Sequence, residues 1–65
     1  MTWTEIEPLS RYWEARTGRR YLNVMPSNTY PGRWSWFVGK GGGSGYCDSE
    51  AEAKAMATAV ALGVG

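Results

Sequence analysis

Hydrophobic and polar residues alternate most regularly between positions 33 and 38. Three residues fall on each side of this segment: Trp34, Trp36 and Val38 on one, Arg33, Ser35 and Phe37 on the other. Alternation of this kind over aromatic and β-branched residues predicts a strand with one covered face and one open face. Further extended segments are predicted at about 3–7, 11–15 and 19–25, with a short pairing segment at 46–47.

The second and third segments are predicted to form a hairpin with a turn at 16–18. Gly18 accepts the positive φ that a type I turn of this length requires. This register predicts one aromatic and one ionic pair across the strands: Trp13 with Tyr21, and Glu14 with Arg20. The segment from 39 to 45 is dense in glycine and is predicted to be a flexible loop. It does not match a phosphate-binding loop, because Gly41 follows Lys40 where Ser or Thr is required.

A helix is predicted from Glu50 to Leu62, where nearly every residue is Ala or another good helix former. Ser49 and Glu52 match a capping box, and Gly63 is a typical helix stop. The predicted apolar stripe consists of Ala53, Met56, Ala57 and Val60. The 65 residues therefore predict one small α+β domain, in which a three- to four-stranded antiparallel β-meander packs against one C-terminal α-helix in two layers.

Composition argues against several kinds of chemistry. The chain has no His and a single Cys, so zinc sites and hydrolase triads lack their usual groups. We expect a non-enzymatic protein with no catalytic residue, cofactor or metal. Cys47 is predicted to be a small core residue, with a reactive thiol as the alternative. The lack of a disulfide pair favours a cytoplasmic location, and neither a signal peptide nor a membrane partner is expected.

Positive charge is concentrated in the middle of the chain. Residues 11–46 contain six basic residues and one acid, although the whole chain has a net charge of +1. The same section contains eight of the nine aromatic residues. Arginines interleaved with aromatic rings are typical of surfaces that bind nucleic acids. The alternative is that the rings fill the core and the arginines are solvated surface charges. The predicted nucleic-acid-binding residues are Arg16, Arg19, Arg20, Arg33 and Lys40.

The segment 33–38, followed by 46–53 with its helix opening Ser-x-x-Glu-Ala, resembles the AP2-like, arm-binding N-terminal domains of phage-type integrases. The similarity covers a little over half of the chain. It implies a sheet face that enters the DNA major groove, with Arg33, Ser35 and Arg20 facing the groove. More generally, the chain resembles the small proteins of phages and prophages, some of which bind and inhibit a host protein.

Two classes of function follow from these patterns. The first is a small nucleic-acid-binding module that uses a basic, aromatic-rich sheet face. The alternative is a protein-interaction module, such as a phage-type accessory or inhibitor protein that binds a host or phage protein, or a small structural homodimer. Exposed aromatic anchors or an open sheet edge would serve that role. Both a monomer and a homodimer are compatible with the sequence.

Overall fold

The computed structural model describes residues 2–6, 11–18 and 20–63, which form an antiparallel sheet and one helix. The elements in chain order are β1 (Thr4–Glu5), β2 (Trp13–Thr17), β3 (Arg20–Pro26), β4 (Trp34–Val38), β5 (Gly43–Cys47) and α1 (Glu50–Ala61). The strands lie side by side in sequence order, and each is antiparallel to its neighbour. The predicted two-layer α+β meander is confirmed. Within the described residues the sheet has five strands, so the expected three to four was too few.

The fifth strand occupies part of the segment that was predicted to be a loop. Gly45 lies opposite Trp36, and the indole ring covers this glycine so closely that a Cβ on Gly45 would lie 2.9 Å from the ring nitrogen. The Trp36 ring thus provides the packing that glycine cannot. Glycine disfavours strands on its own, which is why local propensity predicts only the pairing at 46–47 and misses the first three residues of β5. The turn that precedes it uses positive φ values of 57° at Lys40 and 84° at Gly41.

The hairpin between β2 and β3 has a different register from the predicted one. Thr17 pairs with Arg20, which leaves a two-residue connection, and Trp13 pairs with Val24. Relative to the expected partner Tyr21, this is a shift of three positions. The predicted pairing of Trp13 with Tyr21 is therefore wrong. Because a shift by an odd number of positions moves side chains to the opposite face, Trp13 and Tyr21 lie on opposite sides of the sheet. The register that forms places Leu22 and Val24 on the covered side, where both are fully buried.

The core lies between α1 and the side of the sheet that it covers. Five fully buried residues form it: Leu22, Val24, Val38, Ala53 and Ala57. All four tryptophans of the chain pack against this cluster while remaining partly exposed: Trp3, Trp13, Trp34 and Trp36. The two buried alanines bring the helix close to the sheet, and the indole rings fill the space around its flanks.

The helix begins at Glu50 as predicted and ends at Ala61, one residue before the predicted Leu62, which is its C-cap. The backbone N–H of Glu52 donates to Ser49 Oγ at 3.2 Å, and Gly63 follows the helix with a φ of 76°. The predicted inward position of Met56 is wrong, because its neighbour Ala57 faces the sheet and Met56 remains 47% exposed. Among the described residues there is no helix with the length and apolar character needed to cross a membrane.

Candidate binding surface on the open sheet face

The side of the sheet that faces away from α1, called here the open face, carries side chains from four strands. In β4 it is the side of Ser35 and Phe37, as the alternation predicted. The cross-strand pairs extend the open face to these residues: Glu14 and Arg16 in β2, Tyr21, Asn23 and Met25 in β3, and Ser44 and Tyr46 in β5. Tyrosine, phenylalanine and methionine on a side that no described helix or strand covers mark this face as a candidate binding surface.

Four aromatic rings form an oblique line across the open face, called here the aromatic row: Tyr21, Phe37, Tyr46 and Tyr30. Phe37 pairs with Asn23 and Ser44, so Tyr21 and Tyr46 are its diagonal neighbours on either side. Diagonal neighbours in antiparallel sheets are roughly 7–8 Å apart. Tyr30, from the segment before β4, meets the Tyr46 ring edge to face with 4.9 Å between ring centroids. The row thus crosses β3, β4 and β5, and its rings Tyr30 and Tyr46 are in direct contact.

An arginine lies at each end of the aromatic row. At the first end, the Arg16 guanidinium carbon is 5.7 Å from the centre of the Tyr21 ring. At the other end, Arg33 lines a cleft of about 190 Å³ together with Tyr30 and Tyr46. Arg33 Nε is 3.8 Å from Asp48 Oδ1, and both side chains are largely exposed. Exposed ion pairs of this length contribute little, so this contact does not prevent Arg33 from binding an anion.

The acid on the open face is engaged by a neighbouring tyrosine. The Tyr21 hydroxyl donates a hydrogen bond of 2.7 Å to Glu14 Oε2. This bond raises the pKa of Tyr21 above its ordinary value, and partial burial and the nearby Tyr12 side chain raise it further. The predicted pairing of Glu14 with Arg20 is therefore wrong, since Glu14 lies opposite Asn23 and bonds to Tyr21 instead.

The structure separates the basic residues that the sequence grouped together. Arg20 alternates with Leu22 and lies on the helix side, where a guanidinium N–H donates to the Val60 carbonyl at 3.0 Å. Its predicted position on the open face is therefore wrong. Arg16 and Arg33 are exposed at opposite ends of the aromatic row, and Lys40 is exposed in the turn between β4 and β5. Arg19 lies outside the described residues.

Sequence reasoning overlooked the tyrosines as a group. Tyr21 and Tyr46 were interpreted as a hairpin partner and a brief pairing residue, whereas the structure aligns them with Phe37. The signal was present in β3, where Tyr21, Asn23 and Met25 alternate with two buried aliphatic residues. What the chain alone did not provide was the register that places these alternating sets side by side.

Cys47 faces the helix side and is partly buried, as expected for a small residue at the margin of the core. Burial raises the pKa of its thiol, and the nearby carboxylates of Glu52 and Asp48 raise it further. The side chain is therefore a neutral thiol near pH 7. Across residues 2–6, 11–18 and 20–63, no three His, Cys, Asp or Glu side chains are grouped so as to hold a metal ion.

Comparisons of this chain with protein-family models, with curated proteins and with solved structures find no match. The case for function therefore depends on the geometry of the molecule itself.

Proposed function

We propose that this protein binds single-stranded nucleic acid on its open face, with bases stacked on the aromatic row and phosphates close to Arg16 and Arg33. The observation that carries the proposal is the diagonal row of four rings across the open face with a guanidinium at each end. Rings on an exposed sheet stack unpaired bases, and stacking tolerates any base because each has a π-face. Binding would then show little sequence preference.

The exposure of the rings supports a binding role over a purely structural one. Tyr30, Phe37 and Tyr46 are 51%, 45% and 47% exposed, and the helix covers the other side of the sheet. Because the tryptophans already pack around the core, these three rings are not needed to fill it. An apolar surface of adjacent rings, flanked by polar groups, is typical of an interaction site.

The small number of cations indicates a modest electrostatic contribution. Two arginines flank the aromatic row, and an acid lies near each end of it: Glu14 accepts a hydrogen bond from Tyr21, and Asp48 lies 3.8 Å from Arg33. If Arg16 and Arg33 each neutralise one phosphate, the logarithm of the affinity for a single strand should fall with the logarithm of salt concentration with a slope of roughly −1.4. Most of the binding free energy would then come from stacking.

Titration of a fluorescein-labelled oligothymidine or oligouridine, followed by anisotropy, tests this proposal. We expect Phe37→Ala to weaken binding by about five-fold to more than 100-fold, because the loss of one stacked base costs about 1–3 kcal/mol. Met56→Ala is the matched control, since Met56 is equally exposed but lies on the helix. Equal affinities of the two variants, or no binding at low salt, would exclude the open face as the site.

The similarity to integrase arm-binding domains predicts a different mode, in which the same face enters the major groove of duplex DNA. A duplex of the same length distinguishes the two modes. Stacking on the aromatic row requires unpaired bases, so we expect the duplex to bind more weakly than either of its strands. Tighter binding of the duplex, with loss of affinity in Arg33→Ala and little change in Phe37→Ala, would favour the major-groove mode instead.

A further inference from the structure

A groove runs between α1 and the outer edge of β5, on the side of the sheet opposite the open face. It has a volume of about 290 Å³ and is lined by Cys47 from β5 and by one stripe of the helix: Glu52, Ala55, Met56 and Ala59. We call it the β5–α1 groove. Met56, which the sequence placed in the core, is instead the largest apolar side chain on its wall.

The edge of β5 that borders this groove has none of the usual protections against strand addition. Sheet edges are normally blocked by charged side chains, proline or a bulge. The strand consists of Gly43, Ser44, Gly45, Tyr46 and Cys47, and its pairing with β4 is continuous over all five residues. In the described part of the chain no other strand pairs with the outer edge of β5. Its outward backbone groups are therefore available for hydrogen bonding.

The floor of the β5–α1 groove, next to the edge of β5, is apolar. Gly45 and Cys47 alternate toward the helix side, and the Trp36 indole lies directly over Gly45. A larger residue at position 45 would displace the ring, so the glycine lets Trp36 reach toward the edge. A strand added beside β5 would place every second side chain against Trp36, Cys47 and the helix wall.

Charge near the groove is acidic. Glu52 lines it, and Asp48 and Glu50 lie at the same end, close to the helix N-terminus. Glu50 is paired with Lys54, with 3.6 Å between Oε1 and Nζ, and Asp48 is paired with Arg33, so Glu52 is the acid that faces the groove. Within the described part of the chain, no basic residue lines it. The complementary ligand is therefore apolar along its length and carries a cation at one end.

We propose that the β5 edge and the β5–α1 groove bind an extended peptide segment with apolar residues at alternate positions and a Lys or Arg beside Glu52. The peptide would add to the sheet as a further strand, with its apolar side chains in the groove. A second copy of this chain fits less well, since its own β5 would present Gly43, Gly45 and Cys47 to the groove. These side chains are too small to fill it. This proposal does not depend on nucleic-acid binding at the open face.

A synthetic peptide in which valine alternates with threonine, with lysine at one end, is the probe. Two readouts are used: the amide chemical shifts of β5, and the rate at which maleimide modifies Cys47, the single thiol in the chain. We expect the peptide to shift the β5 amides and to slow the modification of Cys47. Met56→Lys should weaken both effects about ten-fold, because it removes an apolar contact and adds a positive charge that repels the lysine of the peptide. Leu62→Lys is the matched control, since Leu62 is exposed at the C-cap of the helix and is not among the residues that line the groove.

The results of these experiments distinguish a peptide with a basic end from other ligands and from a second copy of the chain in the groove. A peptide with glutamate in place of lysine should bind more weakly, and binding that ignores this change would overturn the assignment of Glu52 as the charge partner. Absence of both effects at millimolar peptide would overturn the proposal as a whole. So would sedimentation that shows a dimer of the free protein that Met56→Lys dissociates, since the occupant would then be a second copy. Oligothymidine binding by the same samples reports separately on the open face.

Discussion

The two faces of the sheet differ in which aromatic residues they carry. The four tryptophans lie on the side of α1, packed around the buried aliphatic residues, whereas the open face carries Phe37 and tyrosines. Indoles bury the largest area, and they complement a helix whose inward residues are alanines. Tyrosine tolerates water at its hydroxyl and presents an apolar ring. One alternating sequence thus divides its rings into a set that holds the fold together and a set that remains available for binding.

Trp36 and Phe37 provide the most direct test of this division, since they are neighbours in β4 that point to opposite faces. Trp36→Ala removes the ring that packs against the core and covers Gly45. We expect it to lower the free energy of unfolding by about 2–4 kcal/mol, somewhat less than for a fully buried ring. For a domain of this size such a loss is a large fraction of the total stability. Urea denaturation followed by circular dichroism measures it.

Phe37→Ala is expected to change the free energy of unfolding by less than about 1 kcal/mol, because Phe37 is 45% exposed. Its effect should instead be on oligonucleotide affinity. A loss of stability in Phe37→Ala equal to that in Trp36→Ala would show that both faces contribute to the core, and the division into two sets would then be wrong.

The sequence predicted those features whose signals are local. The alternation at 33–38 assigned each residue of β4 to its correct face, and Ser49, Glu52 and Gly63 marked the ends of the helix. Features that depend on distant partners were wrong. The β2–β3 register is fixed by the burial of Leu22 and Val24, which turn residues do not encode.

The same limit explains β5 and the candidate site. A glycine-rich segment forms a strand here because Trp36 covers Gly45, a contact between residues on different strands. The aromatic row likewise exists only in the correct register, since a shift by one position in any strand would break the line. Arg20 illustrates the consequence for function. Its charge suggested a nucleic-acid contact, but its place in the alternation directs it toward the end of the helix.

Arg20 and Arg16 offer a second comparison of the two faces. The Arg20 guanidinium bonds to the Val60 carbonyl near the C-terminus of α1, where the helix dipole favours a cation. Arg20→Ala should therefore cost about 1 kcal/mol of stability and leave oligonucleotide affinity nearly unchanged. Arg16→Ala should do the reverse, with unchanged stability and a shallower dependence of binding on salt. Urea denaturation and anisotropy on the same samples check both expectations, and a major loss of affinity in Arg20→Ala would contradict this assignment.

The smallest expected effect concerns the hydroxyl of Tyr21 and appears at high pH. The bond to Glu14 raises the pKa of Tyr21 in the folded state. Near pH 10 the unfolded chain therefore loses the hydroxyl proton of Tyr21, whereas the folded chain retains it. Unfolding then releases a proton, so stability that is fully present below about pH 9 is lost as the pH rises further. Tyr21→Phe should flatten the fall in the free energy of unfolding between about pH 9 and pH 11. Tyr46→Phe, a change at an exposed tyrosine of the same face, should retain it. The same slope in both variants would mean that the bond between Tyr21 and Glu14 does not persist in solution.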